Sequence, residues 1–338
     1  MDSQIDVAVV GVTGLAGEQL VELLAERHFP VRQLHLLDSG EAVGTRLEFR
    51  GSHVAVRDLA EFDFAEVQLA IFVAGADLAA EFVPRAAAVG CAVVDTSSRF
   101  RAEPDVPLVI ATVNPQALDE FRERRIVATP GPEVVQLLSA LEPLRAAAGI
   151  ERLHVTTLLP VSQRGRAGVE ELASQTAALL NGQSIETGIF PVQIAFNVVP
   201  DIEGCDASGY TESEQQLVRE VRRVWAADEL PVQASMASVS AFHGCLQDVY
   251  LVPGRVLPLA AAQRLLAARP GLRLLDERDG ETPSPVEAVG QGAVLIGRVR
   301  ESATEPGALA LWVAADDLRL GVAENAVRVA ELVVKGYL

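Results

Sequence analysis

The sequence predicts an α/β protein of two domains, with a doubly wound N-terminal sheet and an α+β C-terminal domain. Short β-branched runs alternate with amphipathic helical stretches over residues 5–128, a pattern typical of a parallel sheet covered by helices. A glycine-rich turn follows the first of these runs, and strand-like runs dominate after Pro132. The length of 338 residues also favours two domains over one.

The composition argues against several classes of partner. Acidic residues outnumber basic ones 46 to 28, and the resulting net charge of −18 disfavours non-specific binding to nucleic acid or to an anionic membrane. The chain begins without a cationic and apolar leader, and no apolar run reaches the roughly 18 residues of a membrane span. We therefore expect a cytoplasmic protein without a nucleic-acid or membrane partner.

The three cysteines, Cys91, Cys205 and Cys245, lie far apart in the sequence and lack the spacing of metal ligands. Their odd number argues against a disulfide framework. We expect reduced, buried thiols and no metal site.

The first predicted element is a strand over residues 5–10, followed by a glycine-rich turn and an amphipathic helix. The spacing Gly-x-x-Gly-x-x-Gly lets the backbone approach a diphosphate, while free amides at the helix N-terminus receive its charge. Alternatively, the glycines serve only to pack the helix on the sheet. The candidate cofactor-binding residues in this turn are Gly11, Thr13, Gly14, Leu15, Ala16 and Gly17.

A second predicted strand, residues 34–37, ends at Asp38, which lies 21 residues after Gly17. A carboxylate at this position commonly accepts hydrogen bonds from the ribose 2′-hydroxyl of NAD and repels the 2′-phosphate of NADP. Glu41 adds a second negative charge nearby. Both residues have an alternative interpretation as solvated loop charges. NAD or NADP is a possible cofactor, and the two charges favour NAD.

The alternation of strands and helices continues to a sharp loop at residues 129–132, where the two predicted domains meet. Strands are predicted at residues 68–73 and 92–95 with a helix at 79–89 between them, which extends a Rossmann-like pattern. A further strand at 126–128 meets Thr-Pro-Gly-Pro at residues 129–132, where prolines disfavour an immediate helix. Apolar residues then recur at helical spacing. Enzymes of the α/β class often hold a nucleophile at such a junction.

Beyond this loop the pattern changes to one dominated by strands. A large sheet with few helices is predicted, and no Gly/Ser-rich linker or internal repeat separates the two halves. The change of pattern at residues 130–132 therefore sets the domain boundary. The strands predicted in this half are residues 154–159, 232–239, 249–252, 294–299 and 309–313.

Several of these segments together resemble the aspartate-semialdehyde dehydrogenase family. Residues 129–136 resemble the family's Asn-Pro-Asn-Cys-(Ser/Thr)-x-x-Gln, and residues 95–101 resemble its Asp-Asn-Ser-Ser-x-Phe-Arg. The resemblance implies a dinucleotide-binding domain over residues 1–131 plus about 321–338, a substrate and dimerisation domain over 132–320, and a homodimer. Further matches lie at residues 72–76, 165–172, 196–200, 209–211 and 311–327.

The resemblance also implies roles for individual residues. Arg101 matches the arginine that binds phosphate, although an ordinary surface charge is the alternative. Gln136 and His243 occupy catalytic positions of the family, with His243 at the position of the general base. Gly75 and Asn325 fall on segments that the family places beside the cofactor.

The departures from the family lie in its catalytic set. Pro132 stands where the family has its nucleophilic cysteine, and Met236 replaces the arginine that binds the substrate carboxylate. Gln216 replaces a phosphate-binding lysine by approximate alignment. Glu133, next to Pro132, is a possible nucleophile, but a carboxylate would not form the family's thioester.

A substitute thiol is the remaining route to the family's chemistry. If the strand around Val239 continues through Cys245, then His243 and Cys245 point to the same face. The alternative for Cys245 is a small apolar filler, and for His243 a retained packing or ligand-binding residue.

Two functions therefore remain open on the sequence. The first is a pseudoenzyme of the family that binds a nucleotide, another small molecule or a protein partner, with its dehydrogenase activity lost or much weakened. The second is an active NAD(P)-dependent aldehyde oxidoreductase of amino-acid biosynthesis that uses a different nucleophile or substrate. The combined loss of cysteine, arginine and lysine favours the first, because a changed substrate would not explain the missing thiol.

Overall fold

The computed structural model describes residues 4–200 and 204–338 and divides the chain into two compact units. The first unit comprises Met1–Gly131 and Val322–Leu338, and the second comprises Pro132–Gly321. A seven-stranded sheet forms the centre of each unit.

The first unit has a doubly wound sheet with the strand order β3-β4-β2-β1-β5-β6-β7. All its neighbouring strands are parallel except β3 and β4, which form an antiparallel hairpin that the sequence pattern did not predict. The prediction of a doubly wound sheet is confirmed. Its elements before the second unit are β1 Ile5–Val10, α1 Leu15–Glu26, β2 Val31–Asp38, β3 Arg46–Phe49, β4 Ser52–Asp58, β5 Leu69–Phe72, α2 Ala76–Ala88, β6 Ala92–Asp95, α3 Phe121–Arg124 and β7 Ile126–Ala128.

Strand β1 is the centre of this sheet because all six of its residues are buried. It pairs with β2 on one side and with β5 on the other, so the strand order reverses beside it. In open α/β sheets, ligands bind at the carboxyl ends of the strands where the order reverses. The first unit therefore offers a binding position at the ends of β1 and β5.

The second unit has a mixed sheet with the strand order β12-β13-β14-β11-β8-β10-β9. Helix α4 packs against β8, β11, β13 and β14. The α+β prediction is confirmed for this half. Its elements are α4 Pro132–Ala148, β8 Ile150–Leu159, α5 Gly165–Leu180, β9 Val198–Val199, α6 Glu212–Val224, β10 Val232–Val239, β11 Cys245–Pro253, α7 Leu259–Ala268, β12 Leu272–Leu274, α8 Pro285–Ala288, β13 Val294–Glu301 and β14 Leu309–Ala315.

The expectation of few helices in this half was wrong. Helices α5, α6 and α7 contain 16, 13 and 10 residues. Helix α6 begins with a capping box, in which the Thr211 side chain accepts from the backbone of Glu214 and the Glu214 side chain accepts from the backbone of Thr211. This Thr-x-x-Glu signal is visible in the sequence, but it precedes a helix too polar to show a broad apolar face.

The chain returns to the first unit with a π-helical turn, Arg319–Glu324, and a final helix, α9 Asn325–Tyr337. Within that unit α9 packs against β5, β6 and α1. Its buried side chains include Val327, Val329 and Val333. This is the position implied by the resemblance for the last helix.

Candidate functional site

The glycine-rich turn after β1 is closely packed at two of its glycines. Gly11 has a φ of +84°, and a Cβ added there would lie 2.7 Å from the carbonyl oxygen of Val73. A Cβ on Gly17 would lie 2.2 Å from the carbonyl oxygen of Gly11. Packing of helix on sheet is therefore a real function of these glycines. Such packing is also what a dinucleotide-binding turn requires of its first and last glycine.

The same turn presents the N-terminus of α1. Gly14 is the N-cap residue in an extended conformation, and Leu15, Ala16 and Gly17 form the first helical turn. Amide groups of a first turn have no acceptor within their own helix, and the helix dipole adds partial positive charge there. The turn can therefore receive a diphosphate.

Asp38, at the end of β2, is hydrogen-bonded to this turn. Its Oδ2 accepts from the amide of Thr13 at 3.0 Å and from the Thr13 hydroxyl at 2.7 Å. Its Oδ1 accepts from the amide of Ser39 at 2.9 Å. Asp38 is thus oriented by the turn and is not a freely solvated charge. A carboxylate offers about four acceptor sites, so capacity remains for a ribose hydroxyl.

A second loop approaches the glycine turn from β5. Val73, which follows β5, contacts Gly11, and Gly75 is the N-cap of α2. A Cβ on Gly75 would meet no atom within 4 Å, so this loop borders open space. The two helix N-termini thus lie on adjacent strands of the same sheet, at the carboxyl ends where the strand order reverses.

Two other predicted residues of the first unit make contacts with the backbone. The Asn325 side chain accepts from the amide of Ala111 at 3.0 Å and donates to the carbonyl of Val109 at 3.1 Å, so it fixes the loop after β6. Arg101 donates from Nη2 to the carbonyl of Thr96 at 2.7 Å. A cofactor role for Asn325 and a phosphate role for Arg101 stay predictions.

In the second unit, Pro132 is the first residue of α4, directly after the sharp loop. Proline is well tolerated at a first helical position because its missing N–H would have had no partner there. The ring packs against Gly321, where an added Cβ would lie 2.4 Å from the Cβ of Pro132. The position at which the resemblance places a thiol therefore holds a tightly packed ring without a nucleophilic atom.

Gln136 lies one turn further along α4 and is anchored in the interior. Its Nε2 donates to Oε1 of Gln247 at 3.0 Å and to the carbonyl of Val313 at 3.3 Å. Gln247 in turn donates to the carbonyl of Glu133 at 3.1 Å and to the hydroxyl of Thr157 at 3.2 Å. Oε1 of Gln136 is buried without a hydrogen-bond partner among the described residues. The amide donor is committed to fold contacts.

The predicted pairing of His243 with Cys245 on one strand face is wrong. Strand β10 ends at Val239 and β11 begins at Cys245, with a turn over residues 240–244 between them. Gly244 adopts a φ of +86° in this turn, which breaks the alternation on which the pairing depended. His243 therefore lies in the turn and not in a strand.

Cys245 is unsuited to act as a nucleophile. The side chain is fully buried, and burial raises the pKa of its thiol well above the ordinary range, with Glu133 and Asp317 adding to the effect. The thiolate is the reactive form of cysteine. Cys245 instead fits its alternative interpretation as a small side chain that fills space in the apolar interior.

The other two cysteines differ from each other in exposure. Burial raises the pKa of the Cys91 thiol to about 12, so it is unreactive near neutral pH. Cys205 is exposed, which contradicts the expectation that all three thiols are buried. It precedes a polar turn in which Asp206 accepts from the amide and hydroxyl of Ser208.

The turn that carries His243 is held by a buried carboxylate that the sequence analysis did not single out. Asp317 accepts from the amide of Gly244 and from the hydroxyl of Ser162, both at 2.7 Å. Burial raises the pKa of this carboxyl. The sequence pointed to Asp317 only through the resemblance of residues 311–327 to the aspartate-semialdehyde dehydrogenase family.

The substrate-side positions carry no matching cations. Met236 is buried in β10 and lines a small cavity whose other lining residues include apolar side chains, hydroxyl groups and Arg164. Gln216 donates to Glu220 at 2.6 Å. A thioether and an amide thus stand where the resemblance places an arginine and a lysine.

Residues 4–200 and 204–338 contain neither a cluster of metal ligands nor a membrane-spanning helix. No group of three or more His, Cys, Asp or Glu side chains is arranged to hold a metal ion within this range. The helices in the same range are all too short or too polar to cross a bilayer.

Comparison with known proteins assigns the chain to a family. The profile of the semialdehyde dehydrogenase NAD-binding domain matches residues 6–121, and that of the semialdehyde dehydrogenase dimerisation domain matches residues 141–320. Aspartate-semialdehyde dehydrogenase 2 of Vibrio cholerae is 41% identical over 338 residues, which is 100% of both chains. The chain belongs to the aspartate-semialdehyde dehydrogenase family.

Other members of the aspartate-semialdehyde dehydrogenase family extend the comparison. The USG-1 protein homolog of Azotobacter vinelandii is 39% identical and covers 99% of both chains. The crystal structure of aspartate-semialdehyde dehydrogenase II of V. cholerae complexed with ASA has a TM-score of 0.97 and 40% identity, and covers 99% of this chain and 100% of its own. The expected family, an NAD(P)-binding first domain and a dimerisation domain are therefore confirmed.

Proposed function

We propose that this chain is a member of the aspartate-semialdehyde dehydrogenase family whose phosphorylating dehydrogenase activity is lost or much weakened. The observation that carries the proposal is Pro132 at the start of α4, packed on Gly321, in the position of the nucleophile. The reaction class needs a thiolate that attacks the aldehyde and forms a thioester after hydride transfer. Cys91 and Cys245 are buried with raised pKa values, which disfavours both as the nucleophile, and Cys205 lies outside the segments that resemble the family's catalytic motifs.

The surrounding residues support the same proposal. The Gln136 amide donor is committed to Gln247 and Val313, and a thioether, Met236, stands where the resemblance places the arginine that binds the substrate carboxylate. An anionic substrate would lose its charge-assisted hydrogen bonds at such a site. In this proposal His243 and Gln136 are retained for packing or ligand binding.

The second candidate is an active NAD(P)-dependent aldehyde oxidoreductase of amino-acid biosynthesis with another nucleophile or substrate. The observation in its favour is 41% identity over the full length to a protein named aspartate-semialdehyde dehydrogenase 2. The relative named USG-1 protein homolog, at 39% identity, carries no enzyme name, and the names alone therefore do not decide between the candidates.

An activity assay separates the two candidates. The purified chain, its Pro132→Cys variant and the V. cholerae enzyme as positive control are compared for phosphate-dependent reduction of NAD and NADP by aspartate semialdehyde. We expect no turnover above background for the first two, because the unmodified chain has no thiol at position 132 and both proteins carry Met236 and Gln216 where the resemblance places an arginine and a lysine. Turnover by the unmodified chain would refute the proposed loss of activity. Turnover by Pro132→Cys alone would refute the proposal that the rest of the site has also changed.

We infer that the dinucleotide bound by the first unit is NAD in preference to NADP. Asp38 is fixed by Thr13 at the edge of the glycine turn, and the exposed Glu41 follows three residues later, so the negative charge of this segment disfavours a 2′-phosphate. Gly11, Gly14, Gly17, Gly75 and Asn325 belong to the proposed cofactor region. Calorimetric titration with both dinucleotides tests this, and tighter binding of NADP would contradict the roles of both carboxylates.

We also propose that the protein is a cytoplasmic homodimer formed through the second unit. On the sheet face opposite α4, half-buried or exposed side chains alternate with core residues along β8 and β11, as His154, Asp248 and Tyr250 illustrate. Oδ1 of Asp248 is buried without a partner among the described residues. A symmetric interface on this face would supply partners to such groups.

Light scattering tests the dimer at micromolar concentration. We expect twice the 35.9 kDa of one chain, and a mass of one chain would contradict the proposal. Trp312→Asp, on the same sheet face, is expected to shift the mass towards one chain. Gln183→Asp, at an exposed position elsewhere in the second unit, serves as the control and is expected to leave the mass unchanged.

A further inference from the structure

A cleft in the first unit lies outside the proposed dinucleotide site. It has a volume of about 450 Å³ and lies between α3 and the last turn of α9. Three cationic side chains, Arg122, Arg125 and Lys335, share this cleft. Lys335 is the only lysine in the sequence of 338 residues. The full set of lining residues is Phe121, Arg122, Arg125, Lys335, Gly336, Tyr337 and Leu338.

The cleft lies at the opposite edge of the sheet from the glycine turns. Arg125 immediately precedes β7, so it marks the amino end of that parallel strand. Gly11 and Gly75 follow the carboxyl ends of β1 and β5. A ligand in the cleft would therefore not overlap a dinucleotide bound at those turns.

The cations of the cleft have no acidic partners that would neutralise them directly. Within the described residues, no carboxylate oxygen lies within 4.0 Å of the charged nitrogens of Arg122, Arg125 or Lys335. Nε of Arg125 is also buried without a hydrogen-bond partner among those residues. A buried donor of this kind costs about 1–3 kcal/mol if it stays unpaired. The absence of a carboxylate partner in this part of the chain leaves the cations available to an anion that comes from outside the chain.

An aromatic pair orders one wall of the cleft. The Arg122 guanidinium lies 5.4 Å from the centre of the Tyr337 ring, and that ring packs edge-on against Phe121 at 5.3 Å. The opposing charge nearby is Asp119, which accepts from the Tyr337 hydroxyl at 3.5 Å. Asp119 offsets part of the positive charge but is paired with the phenol.

We propose that this cleft binds a phosphate group, supplied either by inorganic phosphate or by a small phosphomonoester. Two guanidinium groups and one ammonium group match a dianion with three acceptor oxygens, because guanidinium donates in a fixed fork and ammonium adds a mobile point charge. The volume lies within the roughly 300–1,000 Å³ typical of small-molecule sites, so there is room for an organic group beyond the phosphate. In a chain of net charge −18, a local cluster of cations is needed to attract any anion.

The single lysine allows a direct test on the full-length protein. An amine-reactive reagent labels Lys335, and mass spectrometry separates this label from that on the N-terminal amine. The labelling rate is measured with inorganic phosphate, with glycerol 3-phosphate, and with chloride at equal ionic strength. All measurements use the Arg101→Gln background, so that the predicted phosphate position at Arg101 does not contribute.

Site-specific binding predicts protection by a factor of one plus the ratio of ligand concentration to Kd, about tenfold at a concentration near ten times Kd. Protection by both anions indicates that free phosphate suffices, and protection by glycerol 3-phosphate alone indicates a phosphomonoester. Equal labelling in all three solutions would overturn the proposal. In that case the only remaining role of the cations would be a favourable interaction with the negative ends of the α3 and α9 helix dipoles.

A pair of matched variants makes the test specific. Arg122→Gln combined with Arg125→Gln is expected to abolish protection of Lys335. Arg46→Gln combined with Arg264→Gln removes the same charge from two exposed positions elsewhere and is expected to retain it. Protection that persists in the first pair, or disappears equally in both, would refute a built site in the cleft.

Discussion

The buried amide pair of Gln136 and Gln247 predicts an unequal effect of two similar substitutions. Gln247→Leu removes the donor to the carbonyl of Glu133 and the hydroxyl of Thr157, and it removes the acceptor of Gln136. A buried polar group left unpaired costs about 1–3 kcal/mol. Because Gln136 keeps its bond to Val313, we expect Gln247→Leu to lower the free energy of unfolding by about 3 kcal/mol.

Gln136→Leu has a smaller expected cost. It leaves Oε1 of Gln247 without its donor and removes one donor to the carbonyl of Val313, but it also removes an acceptor of Gln136 that has no partner among the described residues. We expect a loss of about 1 kcal/mol. The double variant should lose about 3 kcal/mol rather than the sum of the two, since the orphaned oxygen of Gln247 is then absent.

Urea denaturation followed by tryptophan fluorescence measures these changes. Both tryptophans of the chain, Trp225 and Trp312, lie in the second unit, so the signal reports the unit that contains the amide pair. Gln183→Leu, at an exposed position of the same unit, is the control and should stay within about 0.5 kcal/mol of the unmodified chain. A cost of Gln136→Leu equal to or above that of Gln247→Leu would refute the reasoning.

Three further predictions follow from the close contacts and the buried carboxylate. Gly321→Ala should destabilise the second unit by about 1–3 kcal/mol, measured by the same fluorescence, because its Cβ would overlap Pro132. Gly17→Ala should abolish dinucleotide binding, measured by calorimetry, because its Cβ would clash with the carbonyl oxygen of Gly11. Gly75→Ala should lower the free energy of unfolding by less than about 1 kcal/mol, because its Cβ would meet no atom within 4 Å. The raised pKa of Asp317 means that the folded state binds this proton more tightly than the unfolded state. As pH rises from the ordinary pKa of 3.8 through the raised pKa, the unmodified chain should therefore lose stability relative to Asp317→Asn. A pH-independent difference between the two proteins would contradict that account.

Much of the fold could be predicted from local pattern. Strands β6, β7 and β10 have the predicted bounds, because each is a short β-rich run limited by turn-forming or polar residues. The β3–β4 hairpin was missed because its turn uses Arg50 and Gly51, both with positive φ, and arginine gives no turn signal.

The candidate site was only partly predictable. The glycine turn and the acid at Asp38 follow from spacing within one β-α-β segment, but the bonds from Thr13 to Asp38 require the paired strands to be in place. The partners Gln136 and Gln247 lie 111 residues apart, and no local pattern connects them. The Cys245 hypothesis failed because β10 ends at Val239 and a turn over residues 240–244, with Gly244 at a positive φ, separates it from Cys245.

The packing of Pro132 against Gly321 also affects the stability of a variant with a cysteine at position 132. Proline at a compatible helix start stabilises a protein by about 0.4–1 kcal/mol, because it restricts the unfolded chain. Replacing it with cysteine would forfeit that gain and leave the surface of Gly321 less well filled. We therefore expect Pro132→Cys to be less stable than the unmodified chain.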